Sequence, residues 1–114
     1  MVESLLEKLF SEEFVSSMVG WGELVRSKDG DYYLDRQQAP DFLNFEKWYS
    51  CFPPSLISVA KIVSVRALDN VNKVVSDLCY NNDTVKDHMV KEIVFEISTM
   101  KHSGELQAYL QYYN

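Results

Sequence analysis

The fold is decided by residues 54–80, which read PSLISVAKIVSVRALDNVNKVVSDLCY. Apolar side chains recur in this segment at spacings of three and four residues, the period of one face of an α-helix. The residues of this stripe are Ala60, Val63, Ala67, Val71, Val74 and Leu78. No turn residue divides the segment, so the pattern predicts one long helix at the centre of the protein.

The first half of the segment allows a second interpretation. Further apolar residues lie outside the stripe, namely Leu56, Ile57, Val59, Ile62, Val65 and Leu68. Several of them are β-branched, a type enriched in strands, and a strand at 56–66 would make the protein α+β. The helix is favoured because its register continues into 69–79, and because a helix that is apolar on all sides is typically a buried one.

Shorter amphipathic helices are predicted on both sides of the central one. Ser11 is expected to cap the second helix at its N-terminus. Thr84 and Asp87 resemble a capping box at the start of the helix that follows the central one. The prediction is therefore a mainly α fold with a single helical domain over 1–114, a compact bundle of about five to six helices around the helix at 54–80.

One small β-hairpin is predicted near 23–35. Asp29-Gly30 is a dipeptide that adopts positive φ cheaply in a tight turn, and strand-compatible residues lie on both sides of it. Because an isolated hairpin is only marginally stable, we expect it to pack on the helices.

Composition narrows the possible functions. The chain has 114 residues, 46% of them hydrophobic, which indicates a globular domain. Its formal net charge is −6, and residues 1–50 hold ten acidic against five basic side chains. An acidic chain without a basic run repels phosphate backbones, which disfavours nucleic acid as a partner. The same charge favours a basic protein partner.

The expected location is intracellular, most simply the cytoplasm. The N-terminus lacks the pattern of a signal peptide. No apolar run approaches the length of a membrane span. Cys51 and Cys79 are the two cysteines, and we expect buried thiols in a reducing compartment rather than a disulfide.

No motif for catalysis, cofactor binding or metal binding is recognised. His88, Glu92 and Glu96 follow one another at four-residue spacing, so their side chains share one face of a helix. This spacing matches neither the zincin nor the di-iron pattern. A solvated polar face is the favoured interpretation, and a small metal-dependent enzyme is the least favoured of three hypotheses.

The aromatic side chains point instead to a binding surface. Tyr and Trp are enriched at protein interfaces, and six residues are predicted to contact a partner: Trp21, Tyr32, Tyr33, Tyr109, Tyr112 and Tyr113. The first hypothesis is a non-enzymatic protein-interaction module, such as an adaptor, an inhibitor or an antagonist of a host protein. The second is a structural, self-assembling subunit in which the apolar excess of 56–68 and the C-terminal tyrosines contact other copies of the chain.

Overall fold

Helices dominate the computed structural model of the protein, which describes residues 2–18, 24–34, 45–78 and 81–113. The elements in chain order are α1 (Val2–Leu9), α2 (Glu12–Met18), β1 (Leu24–Arg26), β2 (Tyr32–Leu34), α3 (Phe45–Tyr49), α4 (Pro54–Val74), a 3₁₀ segment (Val75–Leu78), α5 (Asn82–Ser103) and α6 (Glu105–Tyr113). The predicted mainly α fold with one small hairpin is confirmed.

The predicted central helix forms over most of residues 54–80. Pro54 is its first residue, a position where proline is tolerated because the first-turn N–H groups have no partner within the helix. The helix tightens into the 3₁₀ segment after Val74, and residues 79 and 80 lie outside the described part. A strand at 56–66 is not formed, so that alternative is wrong.

The buried apolar residues of the described part form a single cluster, to which α4 contributes the largest set. The helix contributes a set of buried apolar side chains: Leu56, Val59, Ala60, Val63, Ala67, Leu68 and Val71. Ile57, Ile62 and Val65 are half-buried, so the first half of α4 is not fully buried on all sides. The second long helix, α5, packs along α4 and adds Val85, Met89, Val90, Ile93, Ile97 and Met100.

An aromatic cluster fastens the N-terminal helices to α3. The Trp48 indole packs edge-on against the rings of Phe10 and Phe52, with centroid distances of 5.6 and 5.2 Å. Its Nε1–H donates to the Leu9 carbonyl oxygen at 3.4 Å. Trp48 and Phe52 are both buried, so this aromatic cluster is part of the core.

The predicted hairpin is present, and α4 holds it in place. β1 and β2 pair antiparallel, and Gly30 occupies the turn with φ of 91°. The Asn72 carboxamide accepts a hydrogen bond from the Leu34 N–H at 2.7 Å and donates one to the Leu34 carbonyl at 3.0 Å. One α4 side chain thus satisfies both backbone groups of a strand residue, as a neighbouring strand would.

Replacing Asn72 with alanine should loosen the hairpin. The change removes both hydrogen bonds and leaves two part-buried backbone groups of Leu34 unsatisfied, at a cost of about 1–3 kcal/mol in the free energy of unfolding. Denaturant titration measures this loss, and Lys73→Ala, at the exposed neighbouring position, should change it by less than about 0.5 kcal/mol. Equal effects of the two substitutions would contradict the role given to Asn72.

Two predicted helix caps have different outcomes. Ser11 caps α2 as expected, because its Oγ accepts a hydrogen bond from the Phe14 N–H at 3.2 Å. The capping box of Thr84 and Asp87 is wrong. Helix α5 begins earlier, with Asn81 as N-cap, and the Asn81 side chain accepts a hydrogen bond from the Thr84 N–H at 3.1 Å. Asparagine outranks threonine as an N-cap, which accounts for the earlier start.

Candidate functional site

The predicted partner-binding tyrosines lie on two different elements. Tyr32 and Tyr33 are half-buried on β2, and the Arg26 guanidinium lies 5.9 Å from the centroid of the Tyr32 ring. Tyr109 is half-buried on α6. The side chains of the remaining predicted contact residues lie outside the described part: Trp21, Tyr112 and Tyr113.

The two groups of tyrosines are attached to different parts of α4. β2 is held by Asn72, whereas α6, which carries Tyr109, is held by the ion pair of Glu105 with Arg66. Six residues separate these α4 positions, which corresponds to about 9 Å along the axis and about 120° around it. The two elements that carry the described tyrosines of the predicted surface, β2 and α6, therefore join α4 at different positions along it and around it.

Phe95 is an exposed aromatic residue that the sequence analysis did not select. It lies in the middle of α5 with 61% of its surface exposed, and it is the one exposed large hydrophobic residue among those the structure describes. The buried stripe of α5 passes through Ile93 and Ile97. Phe95 falls outside that stripe, so its exposure could have been read from the helical period.

The residues one and two turns from Phe95 share its side of α5 and are polar. Lys91 and Thr99 precede and follow it by four residues, and both are exposed. His88 and His102, the two histidines of the chain, stand seven residues to either side. We call this surface, made of His88, Lys91, Phe95, Thr99 and His102, the Phe95 face.

A row of polar side chains borders the Phe95 face where α5 meets α4. The Asn70 Nδ2 on α4 donates to Glu92 Oε2 at 3.3 Å and to Glu96 Oε1 at 2.8 Å. His88 Nε2 lies 3.7 Å from Glu92 Oε1. The predicted common face of His88, Glu92 and Glu96 is confirmed, but it is half-buried against α4 rather than freely solvated.

An ion pair extends this row to α6. The Arg66 guanidinium donates to both carboxylate oxygens of Glu105, at 2.8 and 2.6 Å. We call the row made of Arg66, Asn70, His88, Glu92, Glu96 and Glu105 the polar seam. It holds three carboxylates, one guanidinium and one imidazole, so its net charge is negative.

The ion pair makes a pH-dependent contribution to stability. The hydrogen bond from Arg66 lowers the pKa of Glu105 below its ordinary value of 4.5. A lowered folded-state pKa means that the stabilisation is complete above pH 4.5 and is lost as the pH falls through the folded-state value. Both side chains are about one-third exposed or more, so Glu105→Gln should cost about 1 kcal/mol at neutral pH.

Thermal or denaturant unfolding at neutral and at acidic pH tests this expectation. The difference between the wild type and Glu105→Gln should disappear once the Glu105 carboxylate is protonated. Gln107→Ala, at an exposed position of the same helix, is the matched control. A difference that persists undiminished in acid would show that packing, not charge, causes the loss.

Other surface features offer less to a ligand. A hollow of about 350 Å³ lies between α2 and α5 and is lined by Glu12, Glu13, Ser16, Asp87, Val90 and Lys91. Within the described ranges, no three His, Cys, Asp or Glu side chains are placed to hold a metal ion.

The expectation of a buried Cys51 is wrong. Its thiol is exposed near the C-terminal end of α3, and its Sγ lies 3.7 Å from the carbonyl oxygen of Lys47, four residues earlier.

Comparisons with protein-family models, with curated proteins and with solved structures gave no significant match. None of the helices in the described part combines the length and the apolar character needed to cross a membrane. The function is therefore argued from the geometry of the chain itself.

Proposed function

We propose that the protein is a non-enzymatic protein-interaction module that binds its partner with the Phe95 face and the adjoining carboxylates of the polar seam. The observation that carries this proposal is the exposure of Phe95 at the centre of α5. Glu92 lies three residues before it and Glu96 directly after it, which supports an acidic, aromatic contact surface of the kind expected from the sequence.

The energetics favour Phe95 as the anchor of such a contact. Transfer of a phenylalanine side chain from water into a protein environment is worth about 1.5–3 kcal/mol. Phenylalanine is enriched at protein interfaces, and the energetically important residues of an interface are typically surrounded by a polar rim of weaker contacts that exclude water. Lys91, Thr99 and the two histidines provide such a polar rim around Phe95.

The proposed partner is a different protein rather than another copy of the chain. Self-assembly was expected to use the apolar excess of 56–68 together with the C-terminal tyrosines. Within 56–68, Leu56, Val59, Val63 and Leu68 are buried within the chain. This burial leaves less apolar surface on α4 for contacts between copies. An adaptor, inhibitor or antagonist acting in the cytoplasm is the role we propose, and the negative charge supports a basic partner.

Replacing Phe95 with serine should remove partner binding without unfolding the protein. Because the ring is mostly exposed, we expect the free energy of unfolding to change by less than about 0.5 kcal/mol. Affinity capture from the source cells, followed by calorimetry with the purified partner, should show binding at least about tenfold weaker than wild type.

Control variants make this result specific. Gln107→Ser, at an exposed position of α6, should bind like the wild type. Tyr32→Ser and Tyr109→Ser test whether the tyrosines predicted from the sequence also contact the partner. If Phe95→Ser retains full affinity for a partner that Tyr32→Ser or Tyr109→Ser loses, the binding surface lies on the hairpin or on α6 and the proposal is wrong.

A further inference from the structure

We infer that the partner of the Phe95 face is a basic segment that places an arginine guanidinium against Glu92 and Glu96 and an apolar side chain on the Phe95 ring. This inference rests on the proposed function and adds the chemistry of the partner. The observations that support it are the charge beside Phe95, the geometry of the two carboxylates and the exposure of the ring.

The two carboxylates are only partly satisfied within the chain. Both accept a hydrogen bond from the same Asn70 nitrogen, which is a neutral donor. Among the described residues, His88 is the one basic side chain within 4 Å of Glu92, and its Nε2 lies 3.7 Å from Glu92 Oε1, longer than a hydrogen bond. No lysine or arginine of the described part lies within 4 Å of Glu96, and Arg66, whose pKa Glu96 helps to raise, gives its hydrogen bonds to Glu105 instead. The pair therefore retains acceptor capacity and negative charge for a group supplied from outside.

Arginine fits this arrangement better than lysine. Glu92 and Glu96 lie one helical turn apart and reach the same small amide, so their oxygens converge. A guanidinium presents several donors in one plane and can serve two carboxylates together, whereas an ammonium acts as a point charge. The same seam already holds one such contact, the two hydrogen bonds of Arg66 to Glu105.

Phe95 explains why the segment would also carry an apolar side chain. Phe95 follows Glu92 by three residues, so the two side chains lie on the same side of α5. A guanidinium bound at the carboxylates would lie near the ring, where arginine also packs favourably on aromatic faces. An apolar side chain next to that arginine would cover the rest of the ring and remove it from water.

The test uses two matched synthetic peptides and the isotope-labelled full chain. One peptide is a short alanine-based helix with a leucine and an arginine four positions apart, and the other has citrulline, a neutral isostere, in place of arginine. NMR titration at low salt should show shifts at residues 91–99 and at the Asn70 side-chain amide with the arginine peptide. Its affinity should be about fivefold higher than that of the citrulline peptide.

Variants assign the effect to particular groups. The double substitution Glu92→Gln and Glu96→Gln should abolish the preference for arginine, while Glu7→Gln, at an exposed position of α1, should preserve it. Equal affinity of the two peptides for the wild-type protein, or shifts located away from the Phe95 face, would overturn the inference. If the wild-type protein shows no preference for the arginine peptide, the expected result of affinity capture with Phe95→Ser is unchanged. Failure of this inference can therefore be distinguished from failure of the proposed function.

Discussion

Truncation of Trp48 to alanine should destabilise the protein by about 3–5 kcal/mol, the range for removing a large aromatic side chain from a packed core. The indole is 2% exposed and contacts the rings of Phe10, Tyr49 and Phe52. Its removal also leaves the Leu9 carbonyl without the hydrogen bond from Nε1. The cavity would separate α3 from the N-terminal helices.

Denaturant titration monitored by far-ultraviolet circular dichroism, rather than by tryptophan fluorescence, measures this loss of stability. Trp48→Phe is the informative companion variant, because it keeps most of the ring volume but not the N–H donor. It should recover the greater part of the stability. If Trp48→Ala unfolds at the same denaturant concentration as the wild type, the aromatic cluster does not contribute to the core as described.

Introducing proline at Ala67 should cost at least about 3 kcal/mol, because a proline in a helix interior removes one backbone hydrogen bond and clashes with the preceding turn. Ala67 is fully buried in the middle of α4, so the change breaks the helix against which α5, α6 and β2 pack. We expect an unfolded or largely unfolded protein, detectable by loss of the helical circular dichroism signal.

Ala67→Ser is the matched control for this substitution. At the nearby position Ser64, the chain already buries a hydroxyl by donating it to the Ala60 carbonyl at 2.7 Å. A serine at 67 can bond the carbonyl four residues earlier in the same way, so we expect a cost of only about 1 kcal/mol. A folded, stable Ala67→Pro protein would contradict the continuous helix from Pro54 to Val74.

Much of the fold could be predicted because its signals are local. The apolar period of 54–80 predicted α4, and Asp29-Gly30 predicted the hairpin turn. Helix α5 was also visible as a stripe, although its start was misplaced because both Asn81 and Thr84 are capping residues and the stronger one lies earlier in the chain. Cys51 was misjudged because a cysteine outside a disulfide is usually buried, whereas in the structure its thiol is exposed to solvent.

The candidate site depended on contacts that the local sequence does not reveal. Asn72 meets Leu34 across 38 residues, and Asn70 meets Glu92 across 22. Such pairs are set by the packing of α4 against remote elements, so no spacing rule could identify them. Phe95 is different, because the helical period alone places it outside the buried stripe of α5. The predicted surface was instead based on the tyrosines, which are more numerous.

The claim that the centre of α5 is a partner-binding surface can be tested by photo-crosslinking. A photoreactive phenylalanine analogue is placed at position 95 in one variant and at Gln111, on the exposed side of α6, in a second. Both are irradiated in the source cells, and the products are identified by mass spectrometry. We predict one discrete crosslinked protein from position 95 and none from position 111. Irradiation that yields no crosslinked protein from position 95, or the same products from both positions, would contradict the binding surface proposed for this protein.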